Sequence, residues 1–229
     1  MHTLQTIGIV HSCFKEKFGV PRQPALAPSA CACLELLPPY NQADAVQGLE
    51  SVSHIWLQFI FHQSPESKSP KVRPPRLGGN QRIGVFASRS PVRPNALGLS
   101  VVKLDRVEID GAKVLLWLSG VDLVDGTPVV DIKPYLPYVD SVPAARNLLA
   151  PAAPEPIGVG FAEGVSISPV LAQLIVEVLG QDPRPAYQTP EPNRIYGMHL
   201  LDFNVQWRYL ASDACTWSIE VIGLQAKRN

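Results

Sequence analysis

The sequence predicts a mainly β protein: a β-barrel over residues 1–145, followed by a small α+β domain over residues 146–229. Three observations carry that reading. Short apolar runs with alternating character follow one another through the first 145 residues, with few helical patterns between them. A stretch rich in Pro, Ala and Asn, without a clean period, runs from Asp140 to Pro156 and marks the boundary. Beyond it lies the best helical pattern of the chain, Pro169 to Leu179.

The elements follow in order. Leu4 to Val10 has strand character. Ala30 to Leu37 alternates, with Ala30, Ala32, Leu34 and Leu36 on one face and Cys31, Cys33 and Glu35 on the other. Asn41 to Leu49 is the one helical candidate of the first part, with Gly48 near its end. His54 to Phe61, Arg82 to Ala87, Ser100 to Ile109, Lys113 to Val121 and Val129 to Lys133 read as further strands, and Asp110-Gly111 is a hairpin signal. In the distal part Gly158 to Ile167 reads as a strand. The helix at Pro169 has Ser168 as N-cap and proline in its first position, places Leu171, Leu174, Ile175 and Val178 on one face, and stops at Gly180. Phe203 to Tyr209 and Thr216 to Leu224 alternate as strands.

Composition narrows the class. The 229 residues are 46% hydrophobic, enough for a sizeable core. No apolar run approaches the roughly 18 residues that span a bilayer, so no membrane association is expected. The first residues lack the basic and apolar regions of a signal peptide. Four scattered cysteines (Cys13, Cys31, Cys33, Cys215) form neither a disulfide framework nor a metal-ligand pattern, so a reducing cytoplasm and no metal are the expectations.

Charge is balanced overall, with 20 basic and 20 acidic side chains, but not locally. Ser67 to Leu104 carries eight basic residues (Lys68, Lys71, Arg73, Arg76, Arg82, Arg89, Arg93 and Lys103) and no acidic one. Such a stretch is either a solvated loop or a track for phosphates. Within it, Ile83 to Phe86 reads as a buried strand that breaks into a turn holding Arg89, Ser90, Arg93 and Asn95 between Pro91 and Pro94. Proline restricts the backbone there, and a guanidinium with reduced freedom suits an anionic or carboxylate-bearing ligand. No Gly-x-Gly-x-x-Gly loop follows a first strand, which argues against a Rossmann cofactor site.

Five motifs occur in a fixed order: Lys17 to Gln23, Gly48 to Trp56, Val72 to Gly79, the Arg89 to Gly98 turn, and Asp122 to Tyr135. Together, over roughly residues 4 to 140, they resemble the bacterial tRNA N6-methyltransferases that act on threonylcarbamoyl-adenosine at position 37, beside the anticodon. Asp182 to Tyr187 and Tyr196-Gly197 resemble that family's small C-terminal domain. Val92 and Ala96 depart from its pattern, at positions flanking the arginine turn. The resemblance implies a single-sheet β-barrel, S-adenosyl-L-methionine as methyl donor, a tRNA substrate, and a homodimer with the donor near the subunit interface. By family position the cofactor contacts are Pro21, Arg22, Gln23, His62, Gln63, Arg89, Leu99, and the loop residues Asp122, Leu123, Asp125, Gly126, Thr127 and Pro128. Other readings stand beside these: Leu99 as core, Gln63 as a strand-end cap, Asp125-Gly126 as a plain turn, His54 as a structural histidine.

The acceptor side is set by chemistry. In threonylcarbamoyl-adenosine, N6 belongs to a urea and is a poor nucleophile until its proton begins to leave, so a general base would help. Asp131, Lys133 and Tyr135 alternate along one strand and face the same side. Asp131 is the expected base or ordering group, and Lys133 the anchor for the threonyl carboxylate or a phosphate; a structural Asp131–Lys133 ion pair is the competing reading. Lys68, Lys71, Arg73, Arg76 and Arg93 form the expected RNA track, with Arg184, Tyr187, Arg194 and Tyr196 as distal contributors. Two rivals remain: the same barrel acting on another acceptor, and a non-catalytic RNA-binding β-barrel.

Overall fold

The computed structural model describes residues 3–74, 81–185, 187–191, 194–211 and 216–226. The first part contains β1 (Gly8–Ser12), β2 (Cys31–Leu36), a single turn α1 (Ala43–Val46), β3 (His54–Ile60), the two-residue strands β4 (Lys71–Val72) and β5 (Ile83–Gly84), then β6 (Leu97–Asp110), β7 (Lys113–Ser119) and β8 (Thr127–Pro134). Six of the strands close into one barrel in the order β1-β2-β7-β6-β3-β8. All neighbours are antiparallel. Closure leaves no open edge.

Alternation places the core as the sequence implies. Ala32, Leu34 and Leu36 of β2, Ile55, Leu57 and Phe59 of β3, and Val114, Leu116 and Leu118 of β7 point inward and are buried. Phe59 lies opposite Gly98 of β6. A Cβ at Gly98 would sit 2.3 Å from the Phe59 ring, so glycine there makes room for the aromatic inside the barrel. A β-bulge in β8, where the pairing with β3 shifts between Gln58 and Phe59, inserts Val130 as an extra residue. Thr127 and Val129 face the interior. After the bulge, Asp131 pairs with Gln58 and Lys133 with Trp56, both on the outer wall.

Following a single turn α2 (Pro137–Asp140) and an exposed stretch, the second unit begins: β9 (Val159–Phe161), α3 (Pro169–Leu179), β10 (Tyr196–Leu200), β11 (Phe203–Ala211) and β12 (Trp217–Ala226). Its sheet runs β10-β11-β12-β9, with β9 parallel to β12. The N-cap of α3 is Ser168, whose hydroxyl accepts from Leu171 N–H. Its buried face is Leu174, Ile175, Val178 and Leu179. Gly180 ends the helix in right-handed conformation, not the left-handed one typical of a terminating glycine. Glycine is needed there for space and not for a positive φ: a Cβ would meet the Val176 carbonyl at 2.8 Å. Phe14 and Leu123 of the barrel share one apolar cluster with Met198, Leu200 and Trp207 of the second sheet.

Several expectations are corrected. The helix expected over 41–49 breaks after Val46, because Gly48 turns left-handed (φ +91°) into a 3-10 turn at Leu49–Ser51. The buried strand expected over Arg82 to Ala87 is only Ile83–Gly84, followed by a 3-10 turn at Val85–Ala87 with Phe86 82% exposed. The run Gly158 to Ile167 contracts to Val159–Phe161, and the strand Tyr196–Leu200 was not anticipated.

Replacing Gly98 by alanine forces the Phe59 ring to move within a filled interior. Gly98→Ala is expected to destabilise the fold by about 1–3 kcal/mol, read as a lower denaturant midpoint with an unchanged slope.

Candidate active site

Antiparallel pairing brings the ends of β1, β3 and β7 and the starts of β2, β6 and β8 to one mouth of the barrel. Residues 13–30 leave β1 and return as β2 across this mouth. They carry Pro21, buried, Arg22, exposed, and Gln23, half-buried. The Gln23 side-chain oxygen accepts a hydrogen bond from an Arg89 Nη, so the first loop and the proline-bounded turn meet. Just past β3, exposed His62 and Gln63 reach the same mouth. Lys17 Nζ donates to the Gln63 carbonyl at 2.9 Å. A Cβ on Gly126 would lie 3.9 Å from His62 Nε2, which places His62 beside the 120–126 loop.

That loop is tied down by its own residues. Asp125 accepts from Ser12 N–H at 2.8 Å and pairs with Lys15 at 3.1 Å. Its N–H donates to the Phe14 carbonyl and that of Gly126 to Val10, both at 2.8 Å. Gly126 has φ +80°, so the turn requires glycine. Buried Thr127 donates its hydroxyl to the Val124 carbonyl at 2.6 Å, and Leu123 is core. Pro128 sits in β8 opposite Ile9. Leu123, Asp125, Thr127 and Pro128 thus build the loop, while Asp122 brings a carboxyl against β6. The Asp122 carboxylate accepts from the buried Ser100 hydroxyl at 2.7 Å. Burial pushes it up to about 6, against the pull of that hydrogen bond, its own backbone N–H and the Arg89 guanidinium. Ser100 went unrecognised in the sequence, although a polar residue at an inward strand position, between Gly98 and Val102, was the signal that could have found it.

Other sequence candidates lie on the outer wall, in the basic stretch or in the second unit, or are tied to neighbours. Leu99 is not core: it points outward, 54% exposed, opposite Gln58. Asp131 accepts from Gln58 at 3.4 Å and pairs with Lys133 at 3.3 Å on the outer wall. Tyr135 lies further along, its ring 6.0 Å from Trp56 and 6.5 Å from His54. Trp56 and Leu136 donate to Asp140, whose carboxyl is held below its usual range by the Leu136 N–H and then by Trp56. In the basic stretch Lys68, Lys71 and Arg73 are exposed, and Arg76 lies outside the described residues. Arg93 folds back to donate to the Ser88 carbonyl at 3.0 Å, bracing its own turn. Arg184 is similarly committed: its guanidinium pairs with Asp182 at 2.6 Å and lies over the Tyr209 ring. Arg194 pairs with Glu191 and lies over Tyr196, which stacks on Trp207; Tyr187 is exposed. Among the described residues, no group of three His, Cys, Asp or Glu side chains could hold a metal ion, and no helix is long and apolar enough to cross a membrane.

Comparison with known proteins adds to this geometry. The model of the tRNA-methyltransferase O N-terminal domain matches residues 9–141, and that of the TrmO C-terminal domain matches residues 162–222. A relative from Escherichia coli, tRNA (adenine(37)-N6)-methyltransferase, is 52% identical over 215 residues, covering 89% of this chain and 92% of its own length. A Pseudomonas aeruginosa relative that bears an S-adenosylmethionine-dependent methyltransferase name is 53% identical over 222 residues, covering 93% of this chain and 94% of its own. A crystal structure of TrmO from Pseudomonas aeruginosa superimposes with a TM-score of 0.81 at 44% identity, covering 99% of each chain.

The raised Asp122 carboxyl has a stability signature. The folded chain holds this proton up to about pH 6, whereas the unfolded chain releases it near 3.8. The stability it confers is therefore present below 3.8 and is lost as pH rises through about 6. Asp122→Asn is expected to flatten that part of the pH–stability profile and to melt above wild type at pH 7.5, as thermal denaturation at pH 5 and 7.5 would record.

Proposed function

Since this chain belongs to the tRNA-methyltransferase O family, we propose that its acceptor is the N6 of adenine 37 that already carries a threonylcarbamoyl group. It is an S-adenosylmethionine-dependent tRNA adenine-N6 methyltransferase. One observation supports this reading above the others: the Gln23–Arg89 contact and the Asp122–Ser100 pair converge on one barrel mouth.

S-adenosylmethionine supplies an electrophilic methyl on a sulfonium. The mouth fits such a donor by its chemistry. Arg89 and the Arg22 side chain offer charge to a carboxylate, and Asp122 and Gln23 offer acceptors to hydroxyl or ammonium groups. Gly126 leaves backbone open beside His62. Asp122 is costly to ionise when empty of a partner, and a cation or hydroxyl donor would stabilise its charged form. Transfer is a direct displacement, so these side chains act chiefly by holding the donor in line with the acceptor. A bound donor would give its methyl to N6, the electron pair of the broken bond staying on sulfur, and N6 would then have to give up its proton.

On the acceptor side, Asp131 takes that proton or orders the group that does, and Lys133 anchors the threonyl carboxylate. Both sit on the outer wall beside Gln58 and exposed Leu99. We therefore propose a homodimer in which the outer wall of β3, β6 and β8 meets a second copy, bringing these side chains to the partner's mouth. Exposed Leu97 and Leu99 support that choice of face. Lys68, Lys71 and Arg73 form the phosphate track, and the reaction belongs in the cytoplasm with its tRNA.

The test supplies labelled S-adenosylmethionine and two tRNA pools, with and without threonylcarbamoyl on adenosine 37. Mass spectrometry of the nucleosides is expected to show one added methyl on the modified adenosine of the first pool alone. Methylation of both pools, or of neither, overturns the acceptor assignment. Asp131→Asn is expected to lower kcat about 100-fold with S-adenosylmethionine affinity kept; full turnover would remove Asp131 as the base. Lys71→Ala and Arg73→Ala should each weaken tRNA binding and reduce its salt dependence by about one unit of slope.

A further inference from the structure

The 13–30 loop rests on the second unit along most of its length. Leu201 N–H donates to the Cys13 carbonyl at 2.7 Å. Glu16 accepts from His199 N–H at 2.8 Å. Phe18 stacks on Trp207 with ring centres 6.1 Å apart and planes 8° from parallel. Gly19, at φ +87°, lies so near Met198 that a Cβ would come within 2.6 Å of its sulfur. On the return limb Gln181 donates to the Leu26 carbonyl at 3.1 Å. The strongest tie comes last: the Glu177 carboxylate of α3 accepts both the Ser29 N–H at 2.8 Å and the Ser29 hydroxyl at 2.9 Å. Gln173, one turn earlier, donates to the same carboxylate at 2.8 Å and holds its orientation.

Pro21, Arg22 and Gln23 sit between these two anchored limbs. A loop fixed in advance loses little conformational freedom when a ligand arrives, and affinity gains by that amount. A carboxylate taking two donors from one residue is a charge-assisted, directional contact. We propose that Glu177 is a positioning residue for donor capture: through Ser29 it fixes the return limb of the loop, so that the second unit sets the barrel's affinity for S-adenosylmethionine. The proposal rests on the assignment of the mouth as the donor site.

Calorimetric titration of the full chain with S-adenosylmethionine separates the possibilities. Glu177→Ala is expected to weaken binding about tenfold, Ser29→Ala somewhat less, and the double variant no more than Glu177→Ala alone. Glu177→Gln keeps a carbonyl for the Ser29 N–H and should recover most of the affinity. With saturating donor, kcat and the KM for tRNA should stay within about twofold of wild type, because only donor capture is affected. Glu220→Gln, which weakens the Arg208–Glu220 pair (2.6 Å) on the second sheet, is the control and should leave donor affinity unchanged. If Glu177→Ala lowers the melting temperature but leaves donor affinity at the wild-type value, Glu177 only joins the two units and the proposal fails. Should Glu177→Ala not fold, Ser29→Ala carries the same decision. Wild-type protein that binds no S-adenosylmethionine would overturn the assignment of the mouth, and the proposal with it; normal wild-type binding with unaffected variants overturns the proposal alone.

Discussion

The barrel closes through a seam of only three residue pairs, Gly8 with Val129, Ile9 with Pro128 and Val10 with Thr127, and the site depends on that seam. Two loops of the mouth start from it. β1 runs past its last partner into residues 13–30, and the 120–126 loop arrives at the first residue of β8. Asp125 stitches the two together, taking Ser12 N–H and Lys15 while giving its own N–H to Phe14. A hydrogen bond to a charged acceptor contributes about 1.5–3 kcal/mol, so this side chain stabilises the seam where the β-ladder itself is shortest. The position in the chain that resembles a ligand contact is thereby also a structural fastening.

From the seam, structure passes outward in two directions. Toward the barrel interior, Ser100 and Asp122 place a carboxyl where ionising it is costly. Such a group destabilises the empty protein at neutral pH and is retained where a ligand compensates. Toward the second unit, the loop is laid across Trp207, Met198 and α3, and the two apolar cores merge. A unit of this size buries little surface alone. Shared burial with the barrel stabilises it and, by the same contacts, orders the loop.

Much of this was legible because the signals were local. Alternation over 30–37 gave the inward and outward faces of β2, and Ser168-Pro169 gave the start of α3 to the residue. Signals that depended on distant partners were not legible. Val130 looks like any strand residue; only its pairing with β3 makes it a bulge, and that bulge sends Asp131 and Lys133 to the outer wall. Alternation correctly put those two on one face but could not say which. Leu99, expected as a cofactor contact with core as the competing reading, is turned outward by the register of β6, which no local pattern reveals. Arg93 and Arg184 looked free for a ligand, yet each is occupied by a neighbour a few residues away. The tie between Glu177 and Ser29 spans 148 positions and left no local trace.

We propose that one barrel mouth, built by the 13–30 loop, the end of β3, the Arg89 turn and the 120–126 loop, holds the methyl donor. Amide hydrogen exchange with and without S-adenosylmethionine tests it most directly. Slower exchange on donor addition is expected at residues 22–23, 62–63, 88–90 and 120–126 together. Protection confined to another region, such as the surface groove between α1 and the Val107–Ile109 end of β6, would contradict it.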